Sequence, residues 1–170
     1  PSYERQIVTL TYPHIGNYGV NEEDVEAAKV HAAGLIIRDL PLTASSFRAD
    51  MTLCQSLHRE GIVAIADIDT RKLTRLLRTK GAQNGCIVAL GKGEDVTPAV
   101  IERAVAEARK APAMAGQDLA KDVSIQRPYD WDQTEWKLGS GYGQLEQPKY
   151  HVVAFDYGVK KNILRMLAER

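Results

Sequence analysis

At 170 residues and 44% apolar side chains, the chain can bury one core of ordinary size, with room for the start of a second domain. Its 22 basic and 22 acidic side chains cancel, which excludes a global attraction to nucleic acid, an anionic membrane or an acidic substrate. Two cysteines, Cys54 and Cys86, in a chain without a secretory signal pattern point to free thiols and the cytoplasm, and no apolar run approaches the roughly 18 to 20 residues that span a bilayer, so a soluble protein is expected.

Gln6 to Tyr12 (QIVTLTY) is rich in β-branched residues and runs into Pro13, which suits a strand ending in the turn Pro13 to Gly19. A charged stretch from Asn21 to Lys29 precedes a second strand-length run, Gly34 to Asp39. Ser46 then caps a predicted helix reaching Arg59, with Phe47, Met51, Cys54 and Leu57 as its apolar stripe and Gly61 as its end. Ile62 to Ala66 (IVAIA) reads as a strand covered on both faces. Asp69 or Thr70 caps a helix that carries Leu73, Leu76 and Leu77 on one side and closes at Gly81. Cys86 to Leu90 (CIVAL) is a further buried-strand candidate, and Thr97-Pro98 opens a helix with Ile101, Ala104, Val105 and Ala108 as its apolar face. This alternation predicts a layered α/β domain. From Pro112 to Tyr150 the aliphatics thin out among glycines, prolines and the aromatics Trp131, Trp136 and Tyr142, which suggests a connection with little regular structure beyond a short aromatic hairpin. His151 to Asp156 (HVVAFD) reads as a strand and Val159 to Arg170 as a helix, the opening of a second α/β unit. The chain starts at Pro1 without an initiator methionine and stops at Arg170 inside that helix, so it reads as a window onto a longer protein.

Few residue groupings carry chemistry on their own. Asp67 and Asp69 stand just past a buried strand, where α/β proteins often hold metals or substrates, yet a helix cap at Asp69 and a solvated Asp67 is the simpler account. Cys54 and His58 are four apart on a helix and suit zinc, but no further ligands are evident and a core thiol is the plainer reading. Gly91, Gly93 and Val96 lack the third glycine of a dinucleotide loop and form a turn. Arg71, Arg75 and Arg78 line up opposite the leucines of their helix, a stripe suited to phosphate or a partner's carboxylates, or simply a solvated face. Neither Cys54 nor Cys86 has the flanking glycines of a nucleophile elbow, so neither is a candidate nucleophile.

The wording of three long segments takes the reading further. Pro1-Ser2-Tyr3 with Gln6 to Gly19 (QIVTLTYPHIGNYG), Ile65 to Arg78 (IADIDTRKLTRLLR) with Lys80-Gly81-Ala82, and Asp156 to Lys160 (DYGVK) with Asn162 to Arg165 (NILR) resemble, in order, the small chain of glutamine-dependent carbamoyl-phosphate synthase. The resemblance implies a truncated layered N-terminal α/β domain at residues 1–111, a connection at 112–150, and at 151–170 the first strand and helix of a class I glutamine amidotransferase domain. It implies a protein that hydrolyses glutamine and passes ammonia to a large subunit, which makes carbamoyl phosphate from bicarbonate and ATP at the entry to pyrimidine and arginine formation. ATP and magnesium belong to that large subunit, and no cofactor or metal is expected on this chain. The catalytic cysteine, histidine and glutamate are expected beyond Arg170, which leaves the piece itself inactive. Ser2 is the one functional position carried across, as a glutamine-binding hydroxyl able to donate to a carboxylate and accept from an ammonium. The same resemblance makes Asp67 to Arg78 a structural signature or a surface facing the large subunit. A non-catalytic docking module sharing the same N-terminal domain, and a generic nucleotide-binding α/β domain, are the competing readings.

Overall fold

The computed structural model describes all residues, 1–170. Three short strands, β1 (Ile7–Thr9), β2 (Gly34–Ile36) and β3 (Val63–Ile65), form a parallel sheet in that spatial order, with Val8 opposite Leu35 and Leu35 opposite Ala64. Hydrogen bonding continues past the strand ends: Leu10 N–H donates to the Ile36 carbonyl and Ile37 N–H to the Ile65 carbonyl, each at 3.0 Å. Ile37, 1% exposed, is one of two buried apolar side chains, the other being Leu164 at 9%.

Between β2 and β3 lies α1 (Leu53–Arg59), shorter than the sequence predicts. Thr52, not Ser46, is its cap: Gln55 N–H donates to Thr52 Oγ1 (3.3 Å) and Thr52 N–H to Gln55 Oε1 (2.8 Å), a reciprocal box that fixes the first turn. Upstream, Val20 and Met51 form an antiparallel bridge in which Val20 N–H donates to the Met51 carbonyl at 2.9 Å. That bridge holds residue 51 extended, so no helix can run through it, and Phe47 is left 87% exposed. Gly19, at φ +79°, makes the bridge possible; a Cβ there would stand 2.4 Å from that of Ala49 and 3.0 Å from that of Ala44.

Helix α2 (Thr70–Lys80) begins and ends where its sequence signals place it, with Asp69 Oδ1 accepting from Lys72 N–H at 2.9 Å and Gly81 following the last turn. Helix α3 (Pro98–Lys110) likewise starts from the Thr97 cap, with Pro98 in its first turn. A one-turn helix, α4 (Leu119–Val123), and the antiparallel hairpin β4 (Gln133–Lys137) and β5 (Gly141–Gln144) occupy the stretch expected to be mostly irregular. Helix α5 (Lys161–Glu169) packs on β4.

Three expectations fail for one physical reason, the lack of something to lie against. Ile62 to Ala66 is not covered on both faces, since all three residues of β3 are exposed. Cys86 to Leu90 is not a strand: Ile87 reaches the sheet only through its side chain, 3.1 Å from where a Cβ on Gly34 would sit, and no ladder forms. His151 to Asp156 is not a strand either, because no segment of these residues pairs with it, and Val152, Val153 and Phe155 face outward. The ordinary core expected from the composition is correspondingly absent. The accessible surface is 13015 Å², against about 8,300 Å² for a compact monomer of this mass.

What holds the hairpin, α5 and the loop after β1 together is a polar clamp. Arg165, 4% exposed, stacks its guanidinium 3.9 Å over the Tyr142 ring, donates through Nε to Gln133 Oε1 (2.8 Å) and lies 3.7 Å from Glu26. The Glu26 carboxylate accepts from Asn162 N–H at 2.9 Å, capping α5 from a distant part of the chain in place of Lys160, whose side chain has no acceptor. Tyr142 OH donates to the Glu23 carbonyl, and Arg48 pairs with Glu23 and Asp24 while stacking 4.2 Å over Trp136. Gly19→Ala is expected to lower unfolding stability by about 3 kcal/mol, through left-handed strain plus overpacking. Urea unfolding measures it, and an unshifted midpoint would show that the 20–51 bridge does not depend on this glycine.

Candidate functional site

Ser2 sits in a turn. Glu4 N–H donates to the Pro1 carbonyl at 3.2 Å, so Ser2 and Tyr3 are the two central residues, and both are exposed. This turn is one wall of a cleft of about 290 Å³ whose opposite wall is α4, through Leu119, Ala120 and Val123, and whose end is Tyr157-Gly158. The cleft therefore joins residues that stand at the two ends of the sequence. Contact is tight: at Gly158, φ +96°, a Cβ would lie 2.6 Å from the Pro1 Cβ and 3.1 Å from Val123.

Two carboxylates set the electrostatics around it. Glu4, on the cleft wall, meets His31 Nδ1 at 2.5 Å, and this hydrogen bond holds the Glu4 carboxyl below the usual range. Asp156 stands just behind Gly158. Its Oδ1 accepts from Gly158 N–H (2.8 Å) and Val159 N–H (2.7 Å), and its Oδ2 accepts from Tyr129 OH (2.8 Å). Burial pushes the Asp156 carboxyl up, but the Val159, Tyr129 and Gly158 donors outweigh it and hold the carboxyl below its ordinary 3.8. The Tyr129 phenol is pushed up to about 12 by burial and by the Asp156 carboxylate beside it.

The other groupings singled out from the sequence lie elsewhere. Asp69 caps α2, while Asp67, at φ +68°, donates its N–H to the Arg38 carbonyl at 2.7 Å and turns the chain after β3. Cys54 is exposed rather than in a core, as is Cys86, and neither lines the cleft. Gly91 to Glu94 is a turn closed by Glu94 N–H to the Gly91 carbonyl at 3.1 Å. Arg71, Arg75 and Arg78 are exposed on α2 and take part in none of the chain's ion pairs. No three His, Cys, Asp or Glu side chains converge as a metal-holding group, and no helix is long and apolar enough to cross a membrane.

Sequence reasoning missed the Tyr129–Asp156 pair and the Glu4–His31 pair. Asp156 followed two residues later by a glycine is a recognisable side-chain-to-backbone turn signal. Nothing in the order of residues marks Tyr129 as its partner.

A mixed α/β chain with a cleft between its first and last segments is the class that the structure defines. The profile of the carbamoyl-phosphate synthase small chain, CPSase domain, matches residues 1–87. The chain belongs to the carbamoyl-phosphate synthase small chain family. Carbamoyl phosphate synthase small chains from Rubrivivax gelatinosus and Ralstonia nicotianae are 67% and 65% identical over the whole of this chain, and that from Escherichia coli is 57% identical. The chain spans 44%, 43% and 44% of the length of these relatives, respectively.

Because Asp156 titrates below 3.8, what it contributes to stability is present above about pH 4 and is lost as the pH falls through its depressed pKa. Asp156→Asn is expected to lower stability at neutral pH and to flatten this acid-side decline. Denaturant melts between about pH 2 and 6 check it; an unchanged acid limb would show that the carboxylate does not hold the 156–159 turn.

Proposed function

We propose that the protein to which this chain belongs hydrolyses glutamine and passes the ammonia to a large chain, which makes carbamoyl phosphate from bicarbonate and ATP with magnesium. Family membership supports this, and the observation that carries it to particular residues is the cleft in which the Ser2 turn meets Tyr157-Gly158. Those are the two segments whose wording resembles the family's first signature and the opening of its amidotransferase domain. In this reading residues 1–111 are the N-terminal domain, 112–150 the connection and 151–170 the start of the amidotransferase domain.

Ser2 contributes its hydroxyl to glutamine, donating to the carboxylate or accepting from the ammonium. Glu4 adds negative charge on the same wall, complementary to an ammonium. The nucleophile, base and orienting acid of the hydrolysis belong to the part of the relatives that this chain does not span. Cys54 and Cys86 do not serve, since neither lies at the cleft. The exposed cations of α2, free of internal ion pairs, form part of the face toward the large chain.

A glutaminase assay on residues 1–170 is expected to give no turnover above a protein-free control, whereas Ser2→Ala in the full-length small chain raises KM for glutamine about tenfold, the worth of a hydrogen bond to a charged group. Turnover by the 170-residue chain, or an unmoved KM, defeats the reading. Reversing Arg71, Arg75 and Arg78 to glutamate is expected to weaken association with the large chain at least about tenfold and to reduce its salt sensitivity. Sedimentation or calorimetric titration at two ionic strengths measures this, and unchanged affinity would remove α2 from the interface.

A further inference from the structure

The walls of the cleft are joined by a closed circuit of contacts. From the Ser2 turn, Arg5 reaches Asp122 on α4 at 2.9 Å. Beyond α4, Ile125 N–H donates to the Asp156 carbonyl at 3.3 Å, and Tyr129 OH donates to Asp156 Oδ2 at 2.8 Å. Asp156 Oδ1 then fixes the Gly158 and Val159 N–H groups, and Gly158 closes the circuit against Pro1. The links are unequal in strength. Arg5 and Asp122 are largely solvated, and such pairs contribute little, while a phenol donating to a carboxylate is among the stronger neutral-to-ion hydrogen bonds. Asp156 uses both oxygens, one on the 158–159 turn and one on Tyr129, so it couples the placement of Gly158 to the segment that follows α4. Neither Tyr129 nor Asp156 lines the cleft.

We infer that Tyr129 and Asp156 are positioning residues for the glutamine site, setting the distance between the Ser2 turn and Tyr157-Gly158 without touching the substrate. The inference rests on the reading of this cleft as part of that site. A link that sets only the width of a binding cleft acts on how well the substrate is held and not on the reacting atoms beyond it. Its loss therefore appears in KM and leaves kcat near its original value.

The test uses the full-length small chain assembled with its large chain, assayed with glutamine and, in parallel, with an ammonium salt. Tyr129→Phe is expected to raise KM for glutamine about fivefold and Asp156→Ala about tenfold or more, with kcat within about twofold. Asp156→Asn keeps an acceptor for the Gly158 and Val159 N–H groups and is expected to fall between the parent and Asp156→Ala. Ammonium-driven synthesis is expected to be unchanged in all three. Tyr129→Phe removes one oxygen and serves where Asp156→Ala does not fold, as judged by thermal melting. If Ser2→Ala raises KM while Tyr129→Phe and Asp156→Asn leave it alone, the positioning role is overturned and the glutamine reading stands. If Ser2→Ala leaves KM unmoved, the glutamine reading falls and this inference with it. A fall in kcat with either substrate, in step with a lower melting temperature, would show a general structural role and overturns the inference as well.

Discussion

The buried guanidinium of Arg165 is the constraint on which the second half of the molecule depends. It lies between the Tyr142 ring, Gln133 and Glu26, contributions from the hairpin and from the loop after β1. A buried cation with one partner removed is costly, so these three groups have to stay together or the helix carrying the arginine has to leave. Glu26 doubles the dependence by capping the same helix. Packing alone would not hold α5 against the hairpin, because Leu164 is the only apolar side chain buried there.

The same scarcity of apolar burial explains the architecture of the first half. A parallel sheet normally has helices on both faces, yet β3 is exposed along its length and α3 leaves Ile101 and Val105 outward. The accessible surface exceeds that of a compact monomer by more than half. Short elements survive under these conditions because their N-terminal ends are locally well made: the Thr52 box and the Asp69 and Thr97 caps each satisfy backbone groups within a few residues. Local chemistry and family membership agree on what these residues are.

That division also accounts for what could be read in advance. Helix α2 is legible almost to the residue, and α3 at its start, since a capping side chain and a terminating glycine or first-turn proline act over four or five positions. Helix α1 was misjudged because Ser46 is an adequate cap in isolation, and only the pairing of Val20 with Met51, from distant parts of the chain, excludes it. Cys86 to Leu90 and His151 to Asp156 have strand composition, but a strand exists through its neighbour and composition does not supply one. At the site, resemblance marks Ser2, whereas its turn's meeting with Gly158 depends on residues at the other end of the sequence. Asp156 stands in a signature that does not reveal its role, and nothing marks Tyr129, because a hydrogen bond between residues 27 positions apart leaves no local trace.

The close approach of Pro1 to Gly158 has a kinetic side. Joining segments this far apart requires closing a loop of nearly the whole chain, and the entropy of that closure is lost before any contact is gained. Helices α2 and α3 need no such event and can form as soon as they are made. The cleft is thus assembled after the elements around it, and its Tyr157-Gly158 end is synthesised only after the sheet, α1 to α4 and the hairpin.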